Sequence, residues 1–179
     1  VLMISDLEDK ETATLACQAA ANGRLVIVGV TAPDAVSGLM KLYELQVDPM
    51  LLGSVLIGSV SQRLVRVLEE DIKEPWTPKP EFLQKLGLSP NQVEALYRVP
   101  TDPAMIPPGS NGYLGRAAIF ELLVVNDPIK ELLRDNPSAS AIKAEARKAG
   151  MTSMREDGVR LVAQGKTSLD ELQRVLNLK

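Results

Sequence analysis

The chain opens on a short apolar run, Val1 to Ile4, that gives way to the polar stretch "SDLEDKETA" with acids at Asp6 and Asp9. This is the pattern of a strand that stops where a helix begins. Ala13, Ala16, Cys17 and Ala20 recur at the i, i+3, i+4, i+7 spacing of one helix face, and Gly23 stands where a C-terminal cap belongs. "LVIVGV", Leu25 to Val30, is a continuous apolar run rich in β-branched residues, as expected of a central strand covered on both faces. Thr31 and Pro33 signal the next helix, with Val36, Leu39, Met40 and Tyr43 on one face. Asp48-Pro49 starts another that runs into the apolar segment Met50 to Val60, read as a buried helix. "QRLVRVL" then reads as a strand with Val65 and Val67 on one side. Strands alternating with helices predict an α/β fold with a parallel sheet.

The pattern then breaks. Eight of the twelve prolines lie between Pro75 and Pro108, which marks an irregular insertion. A short helical piece is expected inside it from Glu81 to Tyr97, interrupted at Gly87 to Pro90. "GYLGRAAIFELLV" restores a strand, and the rest is helical. Asp127-Pro128 starts a helix carrying Ile129, Leu132 and Leu133. Ser153 to Glu156 and Ser168 to Glu171 have capping-box spacing, and Gly150 and Gly165 are placed to end helices. No internal repeat or low-complexity tract is present.

Composition narrows the chemistry. There is no histidine, which excludes serine-hydrolase triads and histidine-ligated zinc hydrolase sites. The single cysteine, Cys17, cannot form an internal disulfide; it reads as a small core hydrophobe and favours a reducing, cytoplasmic setting. A net charge of -3 without a basic block predicts no nucleic-acid partner. Met50 to Val60 is shorter than the roughly 18 apolar residues of a membrane span, so no direct membrane insertion is expected. "GKT" at Gly165 to Thr167 lacks the earlier glycine of a phosphate loop, where Arg160 stands, and reads as a helix end followed by a new start. "EEDIKE", Glu69 to Glu74, reads as a solvated acidic turn rather than a divalent-ion site.

Six blocks in order then carry a resemblance: "MISDLEDKETA", "AANGRLVIVGVTAPDA", "VDPMLLGSVLIGSVSQRLVRVL", "KEPWTP", "GYLGRAAIFELL" and "AGMTSMREDGVRLVAQGKTSLDELQRVL". Together they resemble the C-terminal half of the type II secretion and type IV pilus assembly ATPases across residues 1 to about 176. The resemblance implies a partial RecA-like parallel sheet with flanking helices and a C-terminal helical region. It also implies a parent that is a homo-hexameric motor using ATP and Mg, cytoplasmic and held at the inner membrane by other secretion or pilus components. The domain plan that follows is 1–68 as half of the RecA-like core, 69–111 as a proline-rich insertion, 112–125 as a returning strand and 126–179 as the helical region.

The same resemblance implies site residues and departures. The family's Walker B edge ends in GExRDxETA; Ser5 stands at the glycine, Asp6 at the glutamate and Glu8 at the arginine, while Asp9, Glu11, Thr12 and Ala13 keep the pattern. Asp6, Asp9 and Glu11 are therefore the candidate catalytic residues, with Asp6 one methylene short. Arg24 and Thr31 occupy the positions of two family histidines, Gly29, Ala32 and Pro33 alter their surroundings, and only Asp34 and Ala35 keep the closing pattern. Ser5, Asp6, Glu8, Arg24 and Thr31 are all expected on the side of the sheet where chemistry would sit. Where many members carry two zinc-binding CxxC pairs, this chain has Glu69 and Ile72, then approximately Met105 and Pro108, so no zinc is expected. No GxxxxGK[ST] loop is present, so the chain alone is expected not to hold ATP tightly or turn it over. Its parent is then either an impaired motor, a non-enzymatic assembly module, or an active enzyme in which Asp6 serves as the base.

Overall fold

Every described α-helix but the one at Pro80–Leu86 begins where a side chain supplies an acceptor for the free backbone N–H groups of the first turn. In the computed structural model, which describes residues 1–89, 93–135 and 137–177, Asp9, Asp34, Asp48, Asn126, Ser138, Ser153 and Ser168 each accept such a bond. The chain divides into two compact units, Val1–Ser61 with Glu121–Thr152, and Gln62–Phe120 with Ser153–Lys179.

In the first unit, β1 (Leu2–Ile4) and β2 (Val26–Val28) pair in parallel with Leu2 opposite Val26 and Ile4 opposite Val28. They are joined through α1 (Lys10–Ala21). After β2 come α2 (Ala35–Glu44) and α3 (Pro49–Val55), and after residue 121 α5 (Asp127–Arg134) and α6 (Ala139–Lys148). Two clusters fill the unit. One gathers Leu39, Leu123, Ile129, Leu133 and Ile142, all fully buried. The other gathers Leu7, Ala13, Leu42, Val47 and Leu52 under β1 and β2. Each buried leucine or isoleucine contributes about 1.5–3 kcal/mol.

In the second unit, β4 (Glu74–Trp76) and β5 (Leu96–Arg98) form an antiparallel pair, with α4 (Pro80–Leu86) between them in the chain. The unit is completed by α7 (Met154–Ala163) and α8 (Leu169–Leu176) around Val65, Leu96, Ile119, Val162 and Leu172. Gly158 is required where α7 meets α8, because a Cβ there would overlap Leu172. Two long strands, β3 (Gly58–Leu68) and β6 (Tyr113–Val124), pair with each other and pass through both units. "QRLVRVL" and "GYLGRAAIFELLV", read as strands on either side of the proline-rich insertion, lie in β3 and β6.

Several expectations are corrected. The described strands form three two-stranded sheets rather than one, with β1–β2 parallel, as the fold class expects, and β4–β5 antiparallel. "LVIVGV" is a strand only over Val26–Val28 and is not covered on both faces, since Ile27 is 49% exposed. The helix read over Met50 to Val60 ends at Val55, and residues 58–60 belong to β3; a short apolar run cannot be assigned by periodicity alone. Leu96 and Tyr97, read as helical, are strand, while Pro90, at the expected break, lies outside the described residues. So do Asn136, Leu178 and Lys179 of the helical region.

One further correction exposes the main polar anchor of the second unit. Ser153 and Glu156 form a full capping box, but in the second box only Ser168 caps. The Glu171 carboxylate, 1% exposed, turns instead to arginines. It accepts from Arg66 N (3.0 Å), Arg66 Nε (2.9 Å), Arg174 Nε (2.8 Å) and Arg174 Nη2 (2.7 Å). Burial alone would raise its pKa; the hydrogen bonds from Arg174 and Arg66, with the Arg66 charge, outweigh burial and lower it to about 2. The unfolded chain, with an ordinary carboxyl near 4.5, therefore takes up this proton first. The bridge contributes fully above about pH 4.5 and is lost as pH falls toward 2. Glu171→Ala should cost about 2–4 kcal/mol, below the full buried-pair value because both arginines reach solvent. It should also flatten the acid limb of stability between those pH values in a denaturation series; an unchanged limb would refute the assignment.

Candidate functional site at the edge of the first strand

The segment after β1 is held by its own backbone. Gly29 N donates to Ile4 O at 2.8 Å and Leu7 N donates to Gly29 O at 3.0 Å, so residues 4–7 are pinned against the end of β2. A Cβ at Gly29 would overlap the Ser5 carbonyl oxygen, which is why this approach needs glycine. Leu7 is buried in the core beneath, whereas Asp6 and Glu8 on either side are exposed. The Asp6 carboxylate has no hydrogen-bond or ion-pair partner among the described residues.

The other two candidate acids are placed differently. Asp9 is the N-cap of α1, accepting from Thr12 N and from Thr12 Oγ1, each at 2.8 Å. These bonds, the backbone one foremost, hold its carboxyl below the usual range. Glu11 lies exposed in the first turn of α1, where a negative charge complements the helix dipole. Thr31 follows the C-terminal end of β2, on the same edge as Asp6. Arg24 does not join them. It stands two residues before β2, and in a parallel, in-register pair that puts it at the opposite end from Asp6, which corrects the expectation that all five departures share one side.

Residues 5–11 carry four carboxylates and one cation, Lys10, so an anionic polyphosphate meets repulsion at this edge. With no GxxxxGK[ST] loop in these 179 residues, this donor set does not fit a complete nucleotide site.

The positions matched to the zinc ligands carry other partners. Glu69 accepts from Ser110 Oγ at 2.7 Å, and its neighbour Glu70 pairs with Lys73 at 2.6 Å. Ser110 N closes the turn over Pro108 by donating to Pro107 O. Among the described residues no three His, Cys, Asp or Glu side chains are grouped as a metal site would need. Cys17 is half-buried on the inner face of α1, and burial pushes its thiol up, which suits a packing role. "GKT" is a helix junction: Gly165 follows α7 with φ +67, and the Thr167 hydroxyl donates to Arg66 O at 2.8 Å.

Sequence reading missed Glu121. It is 5% exposed in β6, and its Oε1 accepts from Ala35 N (3.0 Å) at the start of α2. The available signal was its phase: Glu121 shares the inward face with Ile119 and Leu123, and a carboxylate there requires a donor.

A parallel strand pair with α1 and α2 beside it, closed by an acidic turn at the strand ends, makes a partial RecA-like α/β unit. The X-ray structure of the Legionella pneumophila ATPase DotB superposes with a TM-score of 0.58 at 16% identity, over 96% of this chain and 37% of that one, a likeness of fold alone. The sequence matches the family described as type II/IV secretion system protein over residues 1–174. It is 40% identical over 172 residues to the type IV pilus assembly ATPase PilB of Thermus thermophilus, covering 96% of this chain and 19% of that protein. It is 36% identical over 175 residues to the type II secretion system ATPase E of Vibrio cholerae, covering 98% of this chain and 34% of that protein. The chain belongs to the type II/IV secretion system protein family. It spans about a fifth to a third of the length of these relatives.

The division of labour among the acids is testable by thermal unfolding. Asp9→Ala should lower the melting temperature while Asp9→Asn, which can still cap, largely preserves it. Asp6→Ala should leave it unchanged; a drop as large as that of Asp9→Ala would contradict the free state of Asp6.

Proposed function

We propose that this chain is the C-terminal portion of a motor ATPase of type II secretion or type IV pilus assembly, and that its Walker B edge is catalytically weakened. The observation that carries this reading is Asp6: an exposed, unpartnered carboxylate at the C-terminal end of β1, flanked by Glu8. A carboxylate so placed is available to act on water, but it falls one methylene short of the family's glutamate, and a misplacement of about 1 Å costs on the order of a hundredfold in rate. Glu8 adds negative charge where the family has a cation. ATP and Mg would be bound with residues outside this segment. The parent would work as a homo-hexamer in the cytoplasm, held at the inner membrane through other components of the system. In support, no helix among the described residues is long and apolar enough to cross a membrane. A second reading, a non-enzymatic structural or regulatory assembly module that keeps the fold for its contacts, is supported by the replacements at Asp6 and Glu8.

Turnover in the full-length protein separates the two. Asp6→Glu with Glu8→Arg should raise ATP hydrolysis, within the roughly 10²- to 10⁴-fold of one general-base contribution. Asp6→Ala should abolish whatever turnover the parent has if Asp6 is the base, and turnover unaffected by Asp6→Ala would make the opening stretch a structural remnant; no measurable turnover in the parent or in the Asp6→Glu, Glu8→Arg variant would favour the assembly module.

Zinc gives an independent check on the insertion. With Glu69, Ile72, Met105 and Pro108 at the ligand positions, a strong chelator should leave the melting temperature of the protein unchanged. A stoichiometric zinc content by elemental analysis would overturn that part of the proposal.

A further inference from the structure

The second unit contains a pocket of about 300 Å³ lined by Trp76, Phe82, Arg98, Leu169, Asp170 and Gln173. Its aromatic wall is a tilted pair, with the Trp76 and Phe82 rings 5.9 Å apart at 55°. Arg98 is only partly satisfied. Its Nη2 donates to Glu74 Oε1 at 2.9 Å, while its Nε is buried and has no partner among the described residues. Glu74 is itself fixed by Thr101 N at 2.8 Å and Thr101 Oγ1 at 3.2 Å, so its charge stays committed to Arg98. At the rim, the exposed Asp170 carboxylate and Gln173 amide make no side-chain bond among the described residues.

These facts specify the occupant's chemistry. Glu74 already balances the Arg98 charge, which leaves Asp170 as the uncompensated charge of the lining and disfavours a phosphate or carboxylate ligand. The aromatic wall beside a free carboxylate suits a planar cation that stacks and forks at once. An arginine side chain offers both groups: a guanidinium face for Trp76 and N–H donors for Asp170. The pocket lies at the small end of ligand sites, enough for one side chain with its backbone.

We propose that the pocket bounded by Trp76, Arg98 and Asp170 is a docking site for an arginine side chain of a partner polypeptide. The site is independent of the acids at the β1 edge and of any nucleotide chemistry.

N-acetyl-arginine amide is the probe, titrated into the full-length protein while tryptophan fluorescence is followed. The Trp76→Phe variant supplies the background, because Trp76 is the one tryptophan of these 179 residues. A saturable change that disappears in Trp76→Phe is expected. Asp170→Asn should weaken the binding roughly tenfold through loss of the charge-assisted pair, and Gln173→Glu should tighten it severalfold. Both positions are exposed, so neither change should alter the melting temperature. The uncharged N-acetyl-citrulline amide should fail to bind. Absence of a saturable change, equal binding of the citrulline probe, indifference to both rim variants, or saturation by adenosine or guanosine in place of the arginine probe would each overturn the proposal.

Discussion

The second unit depends on one buried carboxylate. Glu171 sits at the start of α8 and receives donors from Arg66 on β3 and from Arg174 one turn further along its own helix. Arg66 also lies 4.1 Å from the centre of the Tyr113 ring, and the Tyr113 hydroxyl is hydrogen-bonded to Ser168, the N-cap of α8. Thr167 completes the ring of contacts through Arg66 O, and Leu68 N donates to Lys166 O. The blocks "QRLVRVL", "GYLGR" and "GKTSLDEL", far apart in sequence, therefore converge on a single charge. Burying that charge without its partners would cost several kcal/mol, so the residues are mutually required.

Glu121 does comparable work in the first unit by holding Ala35 N at the start of α2. Both acids are internal and committed to donors of their own unit. The acids at the end of β1 contrast with them. Asp9 closes a helix, while the Asp6, Glu8 and Glu11 carboxylates have no partner among the described residues, Asp6 on a backbone fixed by Gly29.

Much of the fold was legible because its signals are local. Asp48-Pro49, Asp127-Pro128 and Ser153 to Glu156 announce helix starts within a few residues, and the structure uses each. β3 and β6 were legible as strands on either side of the insertion. What was not legible was non-local or ambiguous in period. No spacing rule links Arg66 to Glu171, 105 residues apart, and the capping-box pattern at Ser168 suggested another use for Glu171. Gly58 to Val60 continues an apolar run that helix and strand fit equally well, and Leu96 to Arg98 became a strand only through pairing with Glu74 to Trp76. At the candidate site, an aspartate before a helix fits both a catalytic edge and a cap, and only the bonds to Thr12 show that Asp9 is used as a cap here.

The central claim is that internal charge bridges hold the framework, and it is tested most directly at the bridge between β3 and α8. A double-mutant cycle of Arg66→Met and Glu171→Gln, read by denaturant unfolding, measures their coupling free of each residue's other contacts. The account predicts a favourable coupling of about 1–3 kcal/mol, with the double variant more stable than the sum of the single losses implies. A coupling indistinguishable from zero would contradict it.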